Sequence, residues 1–381
     1  MAETIRVLHV LGGVGLGGAE SRIMDLYRQM DRNEIQFDFL VHDGAVNHGQ
    51  KRMPQFYDDE IHSLGGHIYV LPRFKVYNYF SYRKAVKDFF RQHHEFCVVQ
   101  GHMTSTAGIY LPIAKKCGIP ITVAHSRNAG VEKGLKGLAT RFFRRNLASK
   151  ADCCFACSYL AGRDVFGEKV MAEGRVKIIH NAIDAGKFTF NQEKREKVRK
   201  QLGLKDELVI GHVGRFNYQK NHPYLIDVFA RLCEIRQDAV LLLLGEGPEQ
   251  ENARSQCRRL GIGERVMFLG NRRQPEDYYQ AMDIFVLPSF FEGLPGVLVE
   301  AQAAGLKCFV SDTVTREAVA TDLVTYLSID QPAAEWAGQI DVAASYKRQD
   351  TYLQMKEAGL DVSAQAAGYR LFYQKGDSSG L

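Results

Sequence analysis

Apolar residues fall in short continuous runs of strand length, separated by stretches whose apolar positions recur with a helical period. Ile5–Leu11 is such a run, followed by a Gly-rich turn and an amphipathic stretch from Ala19 to Met30. Further strand-like runs are Phe37–Val41, His67–Leu71, Cys97–Gln100, Ile121–Ala124, Cys153–Ala156 and Val176–Ile179, with helical stretches at Tyr82–His93 and Gly108–Lys116. Continuous apolar runs alternating with helices predict an α/β protein with parallel sheets covered on both faces. After a charged stretch, Asn191 to Lys205, the pattern restarts with Leu208–Val213, Val240–Leu244, Val266–Leu269, Ile284–Leu287 and Cys308–Ser311. The simplest reading is two doubly wound domains, 1–184 and 208–360, joined by a linker over 185–207. A final helix, 361–375, packs back on the first domain, and the last residues fray.

Composition narrows the class. The chain has 381 residues, of which 45% are hydrophobic and 24% charged, which fits a two- or three-domain globular protein and excludes fibrous and disordered chains. The net charge of +5 is too small to argue for a nucleic-acid partner. It is unevenly placed: residues 1–185 carry 25 Lys/Arg against 18 Asp/Glu, so an acidic substrate or an anionic membrane surface suits that half. The start, Met1 to Val10, is too short and too charged for a signal peptide, and no apolar run approaches the roughly 18 residues of a membrane span. A cytoplasmic chain is expected. Its eight Cys are expected to pack as small hydrophobes. Cys153, Cys154 and Cys157 lie in an apolar run without a matching second pair, so no metal site is expected.

Three segments carry candidate chemistry. Gly12-Gly13-Val14-Gly15-Leu16-Gly17-Gly18-Ala19-Glu20 follows the first strand. It could approach a phosphate, form a plain tight turn, or open a dinucleotide site. The last needs an acidic ribose partner after the second strand, and Asp38 lies inside that run while Asp43 comes late. In Gly214-Arg215-Phe216-Asn217-Tyr218-Gln219-Lys220-Asn221, two cations at a strand's carboxyl end suit a diphosphate, against the rival of two solvated surface charges. In Ser289 to Ala301, Gly293 and Gly296 free the backbone and Pro295 suits the first turn of a helix. Glu292 and Glu300 could grip hydroxyls at opposite ends of one extended ligand, with helical N–H groups between them facing its phosphates.

Taken together, these motifs resemble the retaining glycosyltransferases of family 4. The match includes Gly-Gly-Ala-Glu near the start, His125-Ser126-Arg127-Asn128, Asn181-Ala-Ile-Asp184, Gly214-Arg215 with Lys220-Asn221, and Glu292 followed at Glu300. Within the family, Gln36 to His42, Gly211 to Asn221 and Val299 to Gly305 are similar to bacterial exopolysaccharide and capsular-polysaccharide transferases. The resemblance implies the GT-B fold, two Rossmann-like domains facing across a cleft. It implies a nucleotide-sugar donor, UDP-linked, and a glycan acceptor carried on a polyprenyl diphosphate, with no cofactor and no metal. It also implies roles. Arg215 and Lys220 hold the donor diphosphate, Glu292 meets the sugar and Glu300 the ribose. Gly15, Leu16, Gly17, Gly214, Asn271 and the stretch Gly293, Leu294, Pro295, Gly296, Val297 line the donor. His125 lies over the sugar, and His102, Thr104 and Arg127 face the acceptor. Leu16 and Arg127 depart from what many relatives carry, which puts acceptor contacts rather than donor contacts in question.

The implied mechanism is transfer with retention, the two cations stabilising the leaving diphosphate. His125 as a general base competes with His125 as a polar loop residue. Residues 127–150 are basic, with Leu135, Leu138 and Phe142 on one helical face and Lys136, Arg141, Arg144 and Arg145 near it, which suits an interfacial helix on anionic lipid or an ordinary solvated surface. Two other functions fit the same motifs: a GT-B epimerase acting on a nucleotide-sugar, and a non-catalytic nucleotide-binding partner of an active transferase.

Overall fold

The computed structural model describes residues 4–127, 135–378 and 381. Two units divide them: Met1–Asn181 with Val362–Leu381, and Ala182–Asp361. In the first, seven strands form one parallel sheet: β1 (Ile5–Leu11), β2 (Ile35–Asp43), β3 (Ile68–Pro72), β4 (Phe96–Gly101), β5 (Ile121–Ser126), β6 (Cys153–Ala156) and β7 (Val176–Ile178), in the order β3-β2-β1-β4-β5-β6-β7. In the second, six strands do the same: β8 (Leu208–Val213), β9 (Ala239–Leu244), β10 (Val266–Gly270), β11 (Ile284–Leu287), β12 (Lys307–Ser311) and β13 (Val324–Leu327), in the order β10-β9-β8-β11-β12-β13. Each sheet is doubly wound, with its order reversing between β1 and β4 in one and between β8 and β11 in the other.

The strands are continuous apolar runs because both faces are covered. In β1, Val7, Leu8 and Val10 are wholly buried, as are Leu241 to Leu243 in β9. Polar residues inside such runs need partners. Asp38 in β2 is buried and takes a two-pronged bond from Arg6 at 2.6 and 2.7 Å and another from the His67 N–H at 2.7 Å. It is a structural carboxylate, which removes it as a dinucleotide ribose partner, and Asp43, the last residue of β2, accepts from the Ala45 N–H at 2.7 Å.

Two expectations differ from the fold. Residues 185–207, read as a linker, hold two helices, Ala185–Phe188 and Gln192–Leu202, and belong to the second unit. The charge of the longer helix divides: Glu193, Lys194, Glu196, Lys197 and Lys200 are exposed, while Arg195 and Arg199 turn inward and bond Asp283 at 2.6 and 3.3 Å and the carbonyls that precede it. Strand β13 went unpredicted, because Val-Thr-Tyr-Leu is four residues long and only its last is buried. The C-terminal helix, Val362–Lys375, belongs to the first unit, with Phe372 against Phe155 and Arg370 bonded to Glu34.

Candidate functional site

In an open parallel sheet, ligands gather beyond the carboxyl ends of the strands where the order reverses. In the second unit that point lies between β8 and β11, and the two loops that leave there carry the motif residues. After β8 the chain turns on Asn217, whose side chain caps the Lys220 N–H at 3.2 Å, and on Asn221, which sits in the left-handed region at φ 53°. This turn lays the Lys220 stem over Gly214, where a Cβ would stand 2.9 Å from Lys220 Cε. After β11, Glu292 meets that lysine. Its Oε1 accepts from Lys220 Nζ and from Ser289 Oγ, both at 2.7 Å, and its Oε2 accepts from Gln219 Nε2 at 3.0 Å. The pair is almost fully buried, with side-chain exposures of 12% and 8%. Two loops brought together by sheet topology are thus tied by one ion pair.

Arg215 behaves differently. It is exposed and, among the described residues, has no hydrogen bond or ion pair. A permanent cation without an anion, in the same loop as Lys220, suits a ligand that brings its own negative charge. The helix that follows Glu292 runs Gly296–Ala303, with Pro295 capping it rather than lying in its first turn. Glu292 precedes this helix and Glu300 lies within it. Leu298 and Val299 N–H bond the Pro295 carbonyl, which leaves those of Gly296 and Val297 as orphan donors at the helix start. A Cβ at Gly296 would meet nothing within 4 Å. Glu300 lies inside the helix, buried, and accepts from the Tyr279 hydroxyl at 2.9 Å. Asn271 follows edge strand β10 and bonds Glu246 at 3.0 Å, two strands away from β8. Behind the lysine, His212 and His222 are buried. Burial, with Lys220 adding to it, pushes the His222 ring down to about 4.

In the first unit the reversal lies between β1 and β4. Of the glycines after β1, Gly13 is hemmed by Gln55 and Gly17 by Glu20, but a Cβ at Gly12, Gly15 or Gly18 would meet nothing within 4 Å. None of these five has positive φ. The smallness of Gly12, Gly15 and Gly18 therefore serves open space, and that of Gly13 and Gly17 the side chains against them, rather than a turn that demands glycine. Leu16 is exposed between them. After β4 come His102 and Thr104, the latter opening the helix Thr104–Lys116.

The sequence-predicted His125 and Arg127 are both buried here. Arg127 donates to His102 Nδ1 at 3.3 Å and to Asn181 Oδ1 at 2.8 Å, so it joins three of the predicted motifs. Sequence reasoning missed His9, Gln100 and Tyr373, which complete this cluster: His9 Nδ1 lies 3.0 Å from His102 Nε2, and Gln100 bridges His125 and Tyr373. A signal existed, since His9 and Gln100 are polar residues inside otherwise apolar strand runs. Burial pushes His9 down to about 3, and drives His102 and His125 well below the ordinary histidine value, with Arg127 opposing charge on all three.

The basic segment divides. Leu138 and Phe142 are 62% and 69% exposed, and Arg141 and Arg145 are exposed beside them. Arg144 is not part of this exposed basic edge: burial lowers its pKa and it faces Asp164, so it turns toward the protein. Asn128 and Lys133 lie outside the described residues, as does the Lys136 side chain. Among the described residues, no group of three or more His, Cys, Asp or Glu is placed to hold a metal ion, and no helix is long and apolar enough to cross a membrane.

Two doubly wound units of these orders, each with a motif-bearing switch point, have the GT-B fold of sugar-transferring enzymes. Residues 16–187 match the model described as Glycosyltransferase Family 4, and residues 194–361 match Glycosyl transferases group 1. A protein of Bacillus subtilis (strain 168) that carries the name glycosyltransferase EpsF is 36% identical over 348 residues, 90% of this chain and 88% of its own. The chain belongs to this glycosyltransferase family. The UDP-Gal:alpha-D-GlcNAc-diphosphoundecaprenol alpha-1,3-galactosyltransferase of Escherichia coli is 26% identical over 226 residues, 57% of this chain and 58% of that enzyme. The crystal structure of Anabaena HepE in complex with UDP and glucose matches with a TM-score of 0.69 at 18% identity, over 96% of this chain and 95% of HepE, a likeness of fold.

Proposed function

We propose that this glycosyltransferase moves a sugar from a UDP-linked donor, with retention and without a metal ion, to a polyprenyl-diphosphate-linked glycan in surface polysaccharide synthesis. The observation that carries the donor half is the buried Lys220–Glu292 pair beside the unpartnered Arg215 at the β8/β11 switch point. A diphosphate entering there finds two cations and the orphan N–H groups of Gly296 and Val297. Stabilising the leaving diphosphate is work that cations can do in place of Mg²⁺. Glu292 is assigned to the sugar and Glu300, held by Tyr279, to the ribose hydroxyls. The UDP choice is supported by the names of the Escherichia coli relative and of the HepE complex, and the lipid-linked acceptor by the former.

The test is thermal unfolding in EDTA with UDP, GDP, ADP, NAD and several UDP-sugars. A ligand at a hundred times its dissociation constant adds about 2.7 kcal/mol to the state it binds. UDP and one UDP-sugar are expected to raise the midpoint by several degrees, and Arg215→Ala to cancel the rise. Stabilisation by NAD alone would overturn the reading.

The acceptor half predicts a membrane-facing surface, and the first unit offers one. Phe80 and Tyr77 are 84% and 79% exposed, and they share a patch with Phe142 through Tyr79 and Phe143, whose rings lie 6.0 Å apart. Lys75, Arg83, Arg141 and Arg145 are exposed around it. Aromatic rings ringed by cations suit the interface of an anionic bilayer. Flotation with phosphatidylglycerol vesicles at low salt is expected to carry the protein, and Phe80→Glu with Phe142→Glu to weaken binding at least tenfold. A wild-type chain that stays in the dense fraction would end the membrane reading.

A further inference from the structure

A hydrogen-bond chain in the first unit runs from the C-terminal helix to His125. Gln100 lies one residue before the end of β4, and His125 one residue before the end of β5. The Tyr373 hydroxyl is 2.7 Å from Gln100 Oε1, and Gln100 Nε2 is 2.9 Å from His125 Nδ1. All three side chains are buried. A phenol has one proton to give, and among the described residues this hydroxyl has one acceptor, Gln100 Oε1. Exchanging the amide's oxygen and nitrogen would set NH₂ against the hydroxyl and strand its proton in the interior. A buried donor without an acceptor is costly, so the amide is held one way round, and its NH₂ points at the ring.

We infer that Tyr373 and Gln100 are positioning residues that set the His125 ring, with Nδ1 accepting and Nε2 carrying the proton. A doubly protonated ring would place an N–H against the amide N–H, so the same contact resists imidazolium. The groups around the ring push the same way: it is buried, with Arg127 and His9 nearby and the His102 ring centre 5.3 Å away. From the C-terminal helix only the phenols Tyr369 and Tyr373 face this cluster, and neither brings a positive or negative charge at neutral pH. His125 is thereby a hydrogen-bond donor at Nε2 and cannot take a proton there. That nitrogen is buried and has no partner among the described residues, which is the condition of a donor whose acceptor arrives with the substrate. This deepens the proposed function, in which His125 meets the sugar, by assigning it donation rather than general-base catalysis.

The test reads the ring directly in the ligand-free full chain. Long-range ¹H–¹⁵N spectra of histidine-labelled protein, assigned against His125→Asn, distinguish a protonated ring nitrogen from a bare one. The wild type is expected to show His125 with a bare Nδ1 and a protonated Nε2, unchanged from about pH 8 to about pH 5.5. Gln100→Glu offers a carboxylate in place of a donor. It is expected to draw the proton to Nδ1 and raise the ring's titration. Tyr373→Phe frees the amide to turn and is expected to give a mixture of tautomers. A wild-type ring protonated on Nδ1, or titrating near its ordinary value of about 6.5, overturns the inference. So does a Tyr373→Phe protein that loses turnover while its tautomer stays fixed, because the phenol would then act only through the fold. The tautomer itself is read without donor or acceptor, so a wrong tautomer would leave the transferase reading standing, and failure of the ligand screen would leave the tautomer standing.

Discussion

Lys220→Ala is expected to lower turnover by about two to three orders of magnitude and, independently, to weaken the second unit by about 3 kcal/mol. The two losses have different causes. Turnover falls because one of two cations for the leaving diphosphate is gone. Stability falls because Glu292, at 8% side-chain exposure, loses its cation and among the described residues is left with Ser289 and Gln219 as partners. Arg215→Ala separates these effects. Arg215 is exposed and has no partner among the described residues, so its removal is expected to leave stability within about 0.5 kcal/mol while turnover falls about a hundredfold. Urea unfolding and initial rates on the same preparations check both. A Lys220→Ala protein as stable as wild type would mean the pair is not buried in solution. An Arg215→Ala protein with full turnover would remove the diphosphate from this loop. Replacing both members of the pair, Lys220→Met with Glu292→Leu, should recover part of the stability and none of the turnover, since two apolar side chains leave no unpaired charge behind.

The same loops show what a sequence can and cannot carry. Arg215, Lys220, Glu292 and Glu300 were legible because each stands in a Gly-marked turn or helix start just after an apolar strand run, and strand ends are where a parallel sheet exposes its loops. That Lys220 and Glu292 touch was not legible. They are 72 residues apart, and only the β8–β11 adjacency in the sheet order brings their loops together. Gln219 and Ser289 were passed over as turn residues although both bond Glu292. The charged run after Asn191 reads as a linker because composition reports charge but not which residues of a helix turn inward, and Asp283, the half-buried anchor for Arg195 and Arg199, lies more than 80 residues on. His9, Gln100 and Tyr373 illustrate the opposite difficulty. Each sits in an element correctly placed from its apolar pattern, and that same pattern hid the polar residue inside it. A rule that every polar side chain within a parallel strand must have a partner would have flagged His9 and Gln100, though not Tyr373, whose partner is 273 residues away.

Those buried rings make acid the largest lever on stability. His9 is held down to about 3 and His42 to about 4, each mainly by burial, and burial drives His102 and His125 in the same direction. All four belong to the first unit. The second has two, His212, pushed well down, and His222, down to about 4, again mainly by burial. Below about pH 6.5 the unfolded chain protonates each histidine while the folded chain does not, so unfolding takes up protons and stability falls as pH falls. The contribution is fully present above the unfolded value and is lost on the way down to the folded one. At pH 5 His9 and His42 each cost the first unit about 2 kcal/mol and His222 costs the second about the same, while the further buried rings, two in the first unit and one in the second, push in the same direction. A domain has roughly 5–15 kcal/mol in all, so the first unit should give way first. Glu20, whose carboxyl is raised by burial, opposes this slightly. The chain supplies its own probe, because its single tryptophan, Trp336, is fully buried in the second unit. Urea unfolding followed by circular dichroism and by tryptophan fluorescence is expected to coincide more closely at pH 7.5 than at pH 5. At pH 5 an early dichroism phase, silent in fluorescence, should appear. His42→Gln, which replaces a ring bonded to the Leu11 carbonyl and the Tyr82 hydroxyl, should lessen the pH slope of that early phase by up to one proton. Transitions that stay superimposed at pH 5 would show that the four rings take up protons without unfolding the sheet that holds them.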